Sequence, residues 1–438
     1  MTDSSSDAMT GKGRGLLRGS GPLGGRAAFG FIFATALMNS ISFGLIIPVL
    51  PNLIKAFTGG DTAEAAEWNV VFAVTWGAMQ FICGPLLGLL SDRIGRRPVL
   101  LVSIFGLALD FIIIALAPNL MWLLIGRILN GMTAASFSTA NAYVADVTPP
   151  EGRAKAFGWM GSAFSFGFLI GPAVGGALGD IDLRLPFYVA AALSLANGLY
   201  GLFVLPESLP PERRTKRFDL ARANPLGSLR LLRSQRDLLG LATIGLLFQL
   251  AHTVLPAIFV LYTGYRYGWS PSVMGLAMMA TGVAGVIVQA FLVGPVVARI
   301  GERGALMLGA AAGALGFAWY GFAPTGLLYL AGVPIFALMN FLMPGLQGLM
   351  TRRVAPDQQG QLQGANQSLQ GIASMVGPAL FGLTFAWSIR HTDVIYAPGL
   401  AIYLASALLV AAFILGTRVA RTPLPDSAPG GPQVQSQT

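Results

Sequence analysis

Two residues in this chain carry charge where charge is costly. Asp110 lies eight residues before Pro118, and Arg127 lies eight residues after Asn119, each inside a long apolar run. If the runs are helices that turn back at 118–119, the regular rise per residue puts both side chains at one depth, where they can pair. Ionisable residues inside such spans are expensive and mark candidate functional positions. Two chemistries are open to the pair. As a permanent ion pair, each member neutralises the other's burial cost and the pair is structural. As a switchable pair, Asp110 takes a proton when buried alone and releases it when Arg127 approaches. A free aspartate titrates near about 3.9, so a proton carrier needs a conformation that holds the proton more tightly.

A second charged constellation is the turn SDRIGRRP at 91–98, preceded by Gly88. Gly95 allows a tight bend, and Pro98 suits the first turn of a following helix. Asp92 is a single carboxylate among Arg93, Arg96 and Arg97. The arginines anchor the turn at a membrane face; Asp92 can further act as a latch between two parts of the molecule that is broken and remade. The run GFLIGPAVGG at 167–176 has different mechanics. Pro172 removes a backbone hydrogen bond and kinks a helix, while Gly167, Gly171, Gly175 and Gly176 offer a small-residue face for close helix approach.

Uncharged polar residues lie near the midpoints of the apolar runs: Asn39, Gln80, Gln249, His252, Gln289 and Asn340. Converging at one depth they suit hydrogen bonding to a substrate in a central cavity; singly, each serves equally well as interhelical glue. No G-x-x-x-x-G-K-[ST] loop is present, so nucleotide hydrolysis is not indicated as an energy source. With two His and one Cys, there are too few ligands for a His/Cys metal site. No cofactor is expected.

The elements that must position these residues follow from composition. The chain is 54% hydrophobic and 11% charged, against about 25% charged in soluble domains. Apolar windows of about 20 residues, enough to cross a bilayer core, predict helices at 27–49, 69–91, 97–117, 119–145, 155–179 and 186–205, then at 238–262, 272–297, 303–323, 326–350, 361–388 and 396–417. An even count of twelve places both termini on one side. The termini and the loops on their side hold 23 Lys and Arg against four in the opposite loops, which assigns both termini to the cytoplasm. The net charge of +9 is thereby accounted for by topology, without a nucleic-acid partner.

The string at 84–101 returns, degraded, at 294–308: Gly88 maps to 294 and Gly95 to 301, an offset of 206. A second pair of strings keeps that offset, 158 to 364 and 171 to 377. The chain is therefore two copies of one six-helix unit, as many secondary transporters are built. The expected organisation is a tail at 1–26, a first bundle at 27–205, a basic linker at 206–237 suited to a membrane surface, a second bundle at 238–417 and a disordered tail at 418–438. No signal peptide is indicated in 1–26, and Cys83, alone, forms no intrachain disulfide.

GxLxDRxGRRPVLL resembles the loop signature of the major facilitator superfamily, and GFLIGPAVGG the helix-5 motif of its proton-coupled exporters. GLIIPVLP at 44–51, RILNGMTAASFSTANAYVADVT at 127–148 and PDQQGQLQGANQSL at 356–369 are similar to the tetracycline-resistance-type efflux proteins, over about 30 to 415. The resemblance implies an all-α integral membrane protein of twelve transmembrane helices in two pseudo-symmetric six-helix halves, the major facilitator fold. It implies proton-coupled efflux of a small amphiphilic molecule from the inner, cytoplasmic membrane by alternating access, with Asp110 and Arg127 matching the family's helix-3 aspartate and helix-4 arginine. Gln80 and Gln289 match its glutamines. Two departures stand out: Asn39 and Gly313 occupy positions where the resembled proteins carry acidic residues, which puts a cationic metal–tetracycline substrate in question. An importer with proton symport, or a transport-inactive sensor or scaffold, remains open on the same fold.

Overall fold

The computed structural model describes residues 22–134, 136–215, 229–232, 236–355, 358–393 and 396–419. Among the described residues, eleven helical runs are long and apolar enough to span a membrane. One of them, Pro271–Phe322, has 52 residues; a straight helix of that length would measure about 78 Å, far more than the roughly 30 Å of a bilayer core. It is not straight. Gly301, at φ 71° and ψ 170°, breaks it into two spans, so the count is twelve.

The spans are α1 (Pro22–Ile46, continued beyond a turn by Leu50–Phe57), α2 (Thr62–Ile94), α3 (Arg96–Leu116), α4 (Leu120–Thr133 and Ser136–Val147), α5 (Arg153–Ile181) and α6 (Leu185–Val204). The second half gives α7 (Arg236–His252 and Val254–Tyr267), α8 (271–300), α9 (302–322), α10 (Gly326–Thr351), α11 (Gln359–Arg390) and α12 (Leu400–Val419). Three expectations shift. α2 starts at Thr62 rather than 69 because Asp61 caps it, Oδ1 accepting from the amides of Ala63 (2.8 Å) and Glu64 (3.1 Å). α12 starts at Leu400 rather than 396. The turn between α8 and α9 is a single left-handed glycine rather than a loop. Of the expected linker at 206–237, residues 216–228 and 233–235 lie outside the described residues, as do 1–21 and 420–438 of the two tails.

The twofold repeat is written in the backbone at the offset of 206. Gly95 (φ 113°, ψ 162°) ends α2 as Gly301 ends α8. α1 breaks after Ile46, and α7 breaks after His252. Asn119 caps α4 through its side chain, and Thr325 caps α10. α4 is interrupted after Thr133, and α10 carries a 3₁₀ turn at Leu338–Phe341.

Glycines set the helix spacing. α5 lies between α1 of its own half and α8 of the other. A Cβ on Gly171 would sit 2.7 Å from Gly44 Cα, and one on Gly175 2.6 Å from Leu45 Cα, so that face touches α1 backbone to backbone. Gly176 faces α8: a Cβ there would strike the Pro271 carbonyl and stand 2.8 Å from its carbon. Gly275 meets the Pro172 carbonyl in the same way.

The seam between the halves is closed at one end only. At the end remote from the 95–97 turn, Gly179 approaches Pro271, Gly382 approaches Val70, and the Asn69 side chain donates to the Ala257 carbonyl at 2.9 Å. Glu67 of α2 pairs with Arg390 of α11, and Asp180 of α5 accepts from Ser270 Oγ (3.2 Å) and Ser272 N (3.3 Å) at the start of α8. Contact persists to mid-depth, where Gly77 approaches Met375 at 3.7 Å and Gly282 approaches Leu169 at 3.1 Å. Beyond that, Gly84 and Gly88 on α2, Gly158 and Gly161 on α5, Gly294 on α8 and Gly371 on α11 have open space where a Cβ would be. The molecule is open towards its basic end.

Candidate functional site

Asp110 on α3 is fully buried, and Arg127 on α4 is nearly so. Their side chains meet, Nη2 donating to Asp110 Oδ2 at 2.6 Å. The α3–α4 hairpin that sets this register is fixed at its turn by Asn119, whose Oδ1 accepts from the amides of Met121 (3.1 Å) and Trp122 (3.3 Å). Asn130, one turn beyond Arg127 on the same helix face, donates to the same Oδ2 at 2.7 Å. Asp110 Oδ1 and Arg127 Nε have no hydrogen-bond partner among the described residues. Gly126 makes room for that carboxylate: a Cβ there would lie 2.6 Å from Oδ1. The pair is thus buried, with one polar atom of each side chain left without a partner among the described residues, an arrangement in which a change of partner carries large electrostatic weight.

The pair does not stand alone. Trp76 on α2 donates its indole N–H to Asn130 Oδ1 at 2.8 Å. Trp76 and Asn130 both line a cavity of about 290 Å³, close to the lower bound of ordinary small-molecule sites. The hydrogen bonds therefore run from the cavity wall through Trp76 and Asn130 to Asp110 and Arg127.

The cavity's walls come from α1 to α5. Its aromatic side is Phe43, Trp76, Phe164 and Phe168, with Phe43 5.7 Å from Phe168 and Phe164 4.5 Å from Phe168 between ring centres. Pro172, one turn beyond Phe168, denies the Phe168 carbonyl its usual helical donor. The polar side holds Asn39, Gln80 and Ser103. Behind Asn39 lies fully buried Asn197 of α6, which accepts from Thr35 Oγ1 at 3.0 Å and reaches Asn39 Oδ1 at 3.4 Å.

Of the six mid-span polar residues expected from the sequence, Asn39 and Gln80 face this cavity; the four from the second half do not line it. Gln249 is half-buried, and His252 is exposed at the break in α7, its ring 5.9 Å from Phe248. Gln289 is exposed within a π-helical turn, Val288–Leu292. Asn340 spends its amide on the Ala337 carbonyl at 2.9 Å. With the halves parted, these side chains are held away from the first-half cavity.

The turn at 91–98 is tied to its own half and to the start of the linker. Asp92 pairs with Arg96 at 2.5 Å, and Arg96 Nε reaches Asp146 at the end of α4 at 3.2 Å. Arg97 donates to the Leu202 carbonyl at 2.7 Å. Glu207 caps the start of α3, accepting from the amides of Arg96 (2.8 Å) and Arg97 (3.3 Å), where a carboxylate also complements the helix dipole. The Asp92 carbonyl accepts from Thr215 N at 3.0 Å. Arg93 is exposed. Among the described residues none of these partners belongs to the second half.

The family model for the Major Facilitator Superfamily matches residues 32–378 and 241–435. The chain belongs to the major facilitator superfamily. It is similar to the tetracycline resistance protein, class C, of Escherichia coli, 38% identical over 85% of this chain and 93% of that one. The class B protein of Escherichia coli is 33% identical over 86% of this chain and 94% of its own length. Among solved structures, nucleoside transporter NupG superposes with a TM-score of 0.74 at 13% identity, covering 90% of this chain and all of that one.

As a member of the superfamily the chain is a multi-pass membrane protein and a secondary transporter. Against that background, several site residues escaped the sequence reading. Trp76 and Asn130 lie on apolar-looking helix faces, and Asn197 is one asparagine in an otherwise apolar span. Glu207 reads as part of a linker. Helix spacing alone offered one signal, since Asn130 falls three residues after Arg127 and so shares its face. A further pair was hidden by reversed charge. Adding 206 to 96 and 146 gives 302 and 352, and Glu302 and Arg352 form an ion pair in the second half with its polarity inverted.

Proposed function

We propose that this protein is a proton-coupled exporter of a small amphiphilic molecule, working by alternating access in the inner, cytoplasmic membrane with both termini in the cytoplasm. The observation that carries the reading is the hydrogen-bonded path from the cavity wall through Trp76 and Asn130 to the buried Asp110–Arg127 pair. The charge distribution of the loops supports the orientation, so the open end of this structure is the cytoplasmic one, and the relatives' names support drug efflux.

In this reading the structure is the state that loads substrate from the cytoplasm. Asp110 is ionised, held by Arg127 and Asn130. A substrate packing against Trp76 and Asn130 loosens the second of these contacts. Closure of the cytoplasmic end brings α2 and α11 together over Gly84 and Gly88, and Asp92 exchanges part of its contact with Arg96 for a partner across the seam. Opening the far end separates Glu67 from Arg390 and Asp180 from the start of α8, and water reaches Asp110. A carboxyl group separated from Arg127 in an apolar span takes a proton rather than remain charged, and the protonated form permits the return. The energetic logic is that each ligand, substrate or proton, shifts the equilibrium only by its differential affinity for the two states.

The test is proton-driven transport in everted membrane vesicles. Asp110→Asn removes the titratable group while keeping two polar atoms for Arg127 and Asn130, and abolished pH-driven accumulation with retained substrate binding is expected. Undiminished pH-driven transport by Asp110→Asn ends the proposal.

A further inference from the structure

The cavity that carries the proposed function is electrically neutral. Among the described residues its walls hold Asn39, Gln80, Ser103 and four aromatic rings, and no Asp, Glu, Lys or Arg. Asp110 is screened from it by Asn130 and compensated by Arg127. Among the described residues Asp110 is the single buried carboxylate. The polar wall offers hydrogen bonds instead. Asn39, whose Oδ1 accepts from Asn197, and Gln80 supply the amide groups of this wall. The aromatic faces attract cations, but that attraction is weaker than the penalty for dehydrating a cation where no carboxylate awaits it.

Resting on the export reading above, we infer that the substrate class is an uncharged, planar aromatic molecule bearing a carbonyl or hydroxyl group, stacked among Phe43, Trp76, Phe164 and Phe168 and hydrogen-bonded to Asn39 and Gln80. One consequence is electrical. Exchange of a neutral molecule for the single proton that Asp110 carries moves one net positive charge inward per cycle, so the membrane potential drives export by itself. Export of a monovalent cation against one proton would be electroneutral and blind to the potential.

The experiment uses a matched pair of probes with the purified full-length protein: neutral 6(5H)-phenanthridinone and cationic 5-methylphenanthridinium. Binding is measured by equilibrium dialysis, and transport in proteoliposomes at equal pH under an inside-positive potassium diffusion potential. Phenanthridinone is expected to bind at least tenfold more tightly, and its uptake is expected to rise severalfold with the potential. Asn39→Asp, which keeps shape and adds charge, is expected to lower the neutral-to-cation preference at least tenfold, with Gln80→Glu as a second charge-adding variant. Tighter binding of the cation, or uptake that answers to a pH gradient but not to the potential, overturns the neutral-substrate inference while leaving proton-coupled export standing. Proton-independent uptake of both probes defeats the export reading itself, and binding of neither probe overturns the inference about this cavity.

Discussion

Gly176→Ala is predicted to tip the molecule towards its outward-open state. The added methyl would collide with the Pro271 carbonyl of α8 and stand 2.8 Å from its carbon and 3.0 Å from Ser272 Cα, all backbone atoms that cannot rotate aside. Overpacking of this kind costs about 1–3 kcal/mol. In the cycle proposed above the cost is confined to the present state, because there α5 and α8 part at this end when the far side opens. A differential of that size changes the ratio of two conformations by roughly 5–150-fold. Gly171→Ala is the control: the same methyl on the same helix meets Gly44 and Ile41 of α1, in its own half, and lowers stability without favouring either state. The assay is maleimide labelling of Met274→Cys in a Cys83→Ser background. Met274 is fully buried at the far end and contacts Asn52 of the first half, so its labelling from the far side reports seam opening. In the native background, Cys83 reports the other end, since it shares the α2 face of Gln80 and Trp76, three and seven residues before it. Far-side labelling should rise several- to a hundredfold with Gly176→Ala, and Cys83 labelling should fall. Equal far-side rates for Gly176→Ala and Gly171→Ala would refute the reasoning.

Gly88→Leu should leave binding of phenanthridinone from the cytoplasmic side unchanged, because nothing occupies the space beside Gly88 here, yet abolish transport by blocking closure; vesicle flux and equilibrium dialysis on the same preparation separate the two effects. Arg127→Ala leaves Asp110 buried without its cation, so that folding at neutral pH must bind a proton to the carboxyl, and should destabilise the protein by about 3–5 kcal/mol in thermal or denaturant unfolding; adding Asp110→Asn should restore most of that loss. If the double variant is no more stable than Arg127→Ala, the pair is not electrostatically coupled. Asn119→Ala removes the side-chain cap of α4 and should cost about 0.5–2 kcal/mol in the same unfolding measurement, with Thr325→Ala, its counterpart on α10, behaving alike.

The buried pair could be placed from the sequence because helix geometry is regular: equal distances from a turn mean equal depth, and Asp110 and Arg127 indeed meet. The spans were legible because a bilayer demands long apolar runs, and the repeat because glycines at turns keep their register, as Gly95 and Gly301 do. The hydrogen-bonded path to the cavity was not legible. Nothing in the local pattern says that Trp76 of α2 faces Asn130 of α4, or that Asn197 of α6 backs Asn39 of α1, since neutral polar residues look the same whether they bind a ligand or another helix. The mid-span residues of the second half stand apart for a different reason. Gln249, His252, Gln289 and Asn340 belong to the second half and do not line the cavity that Asn39 and Gln80 face, and in the alternating-access cycle proposed above they join it when the cytoplasmic end closes.

The inverted ion pairs bear on how such a chain assembles. Its hairpins α3–α4 and α9–α10 share length and side-chain caps, and Gly126 answers Gly332, so an inserting chain has two partners of similar shape for each helix. Shape alone would tolerate α3 beside α10, or α9 beside α4. The charges disfavour it: α3 beside α10 sets Arg96 against Arg352, and α9 beside α4 sets Glu302 against Asp146, like charges in both exchanges, whereas the native neighbours set opposite charges together. Duplication supplied two interchangeable hairpins, and reversing one pair of charges gave each an address.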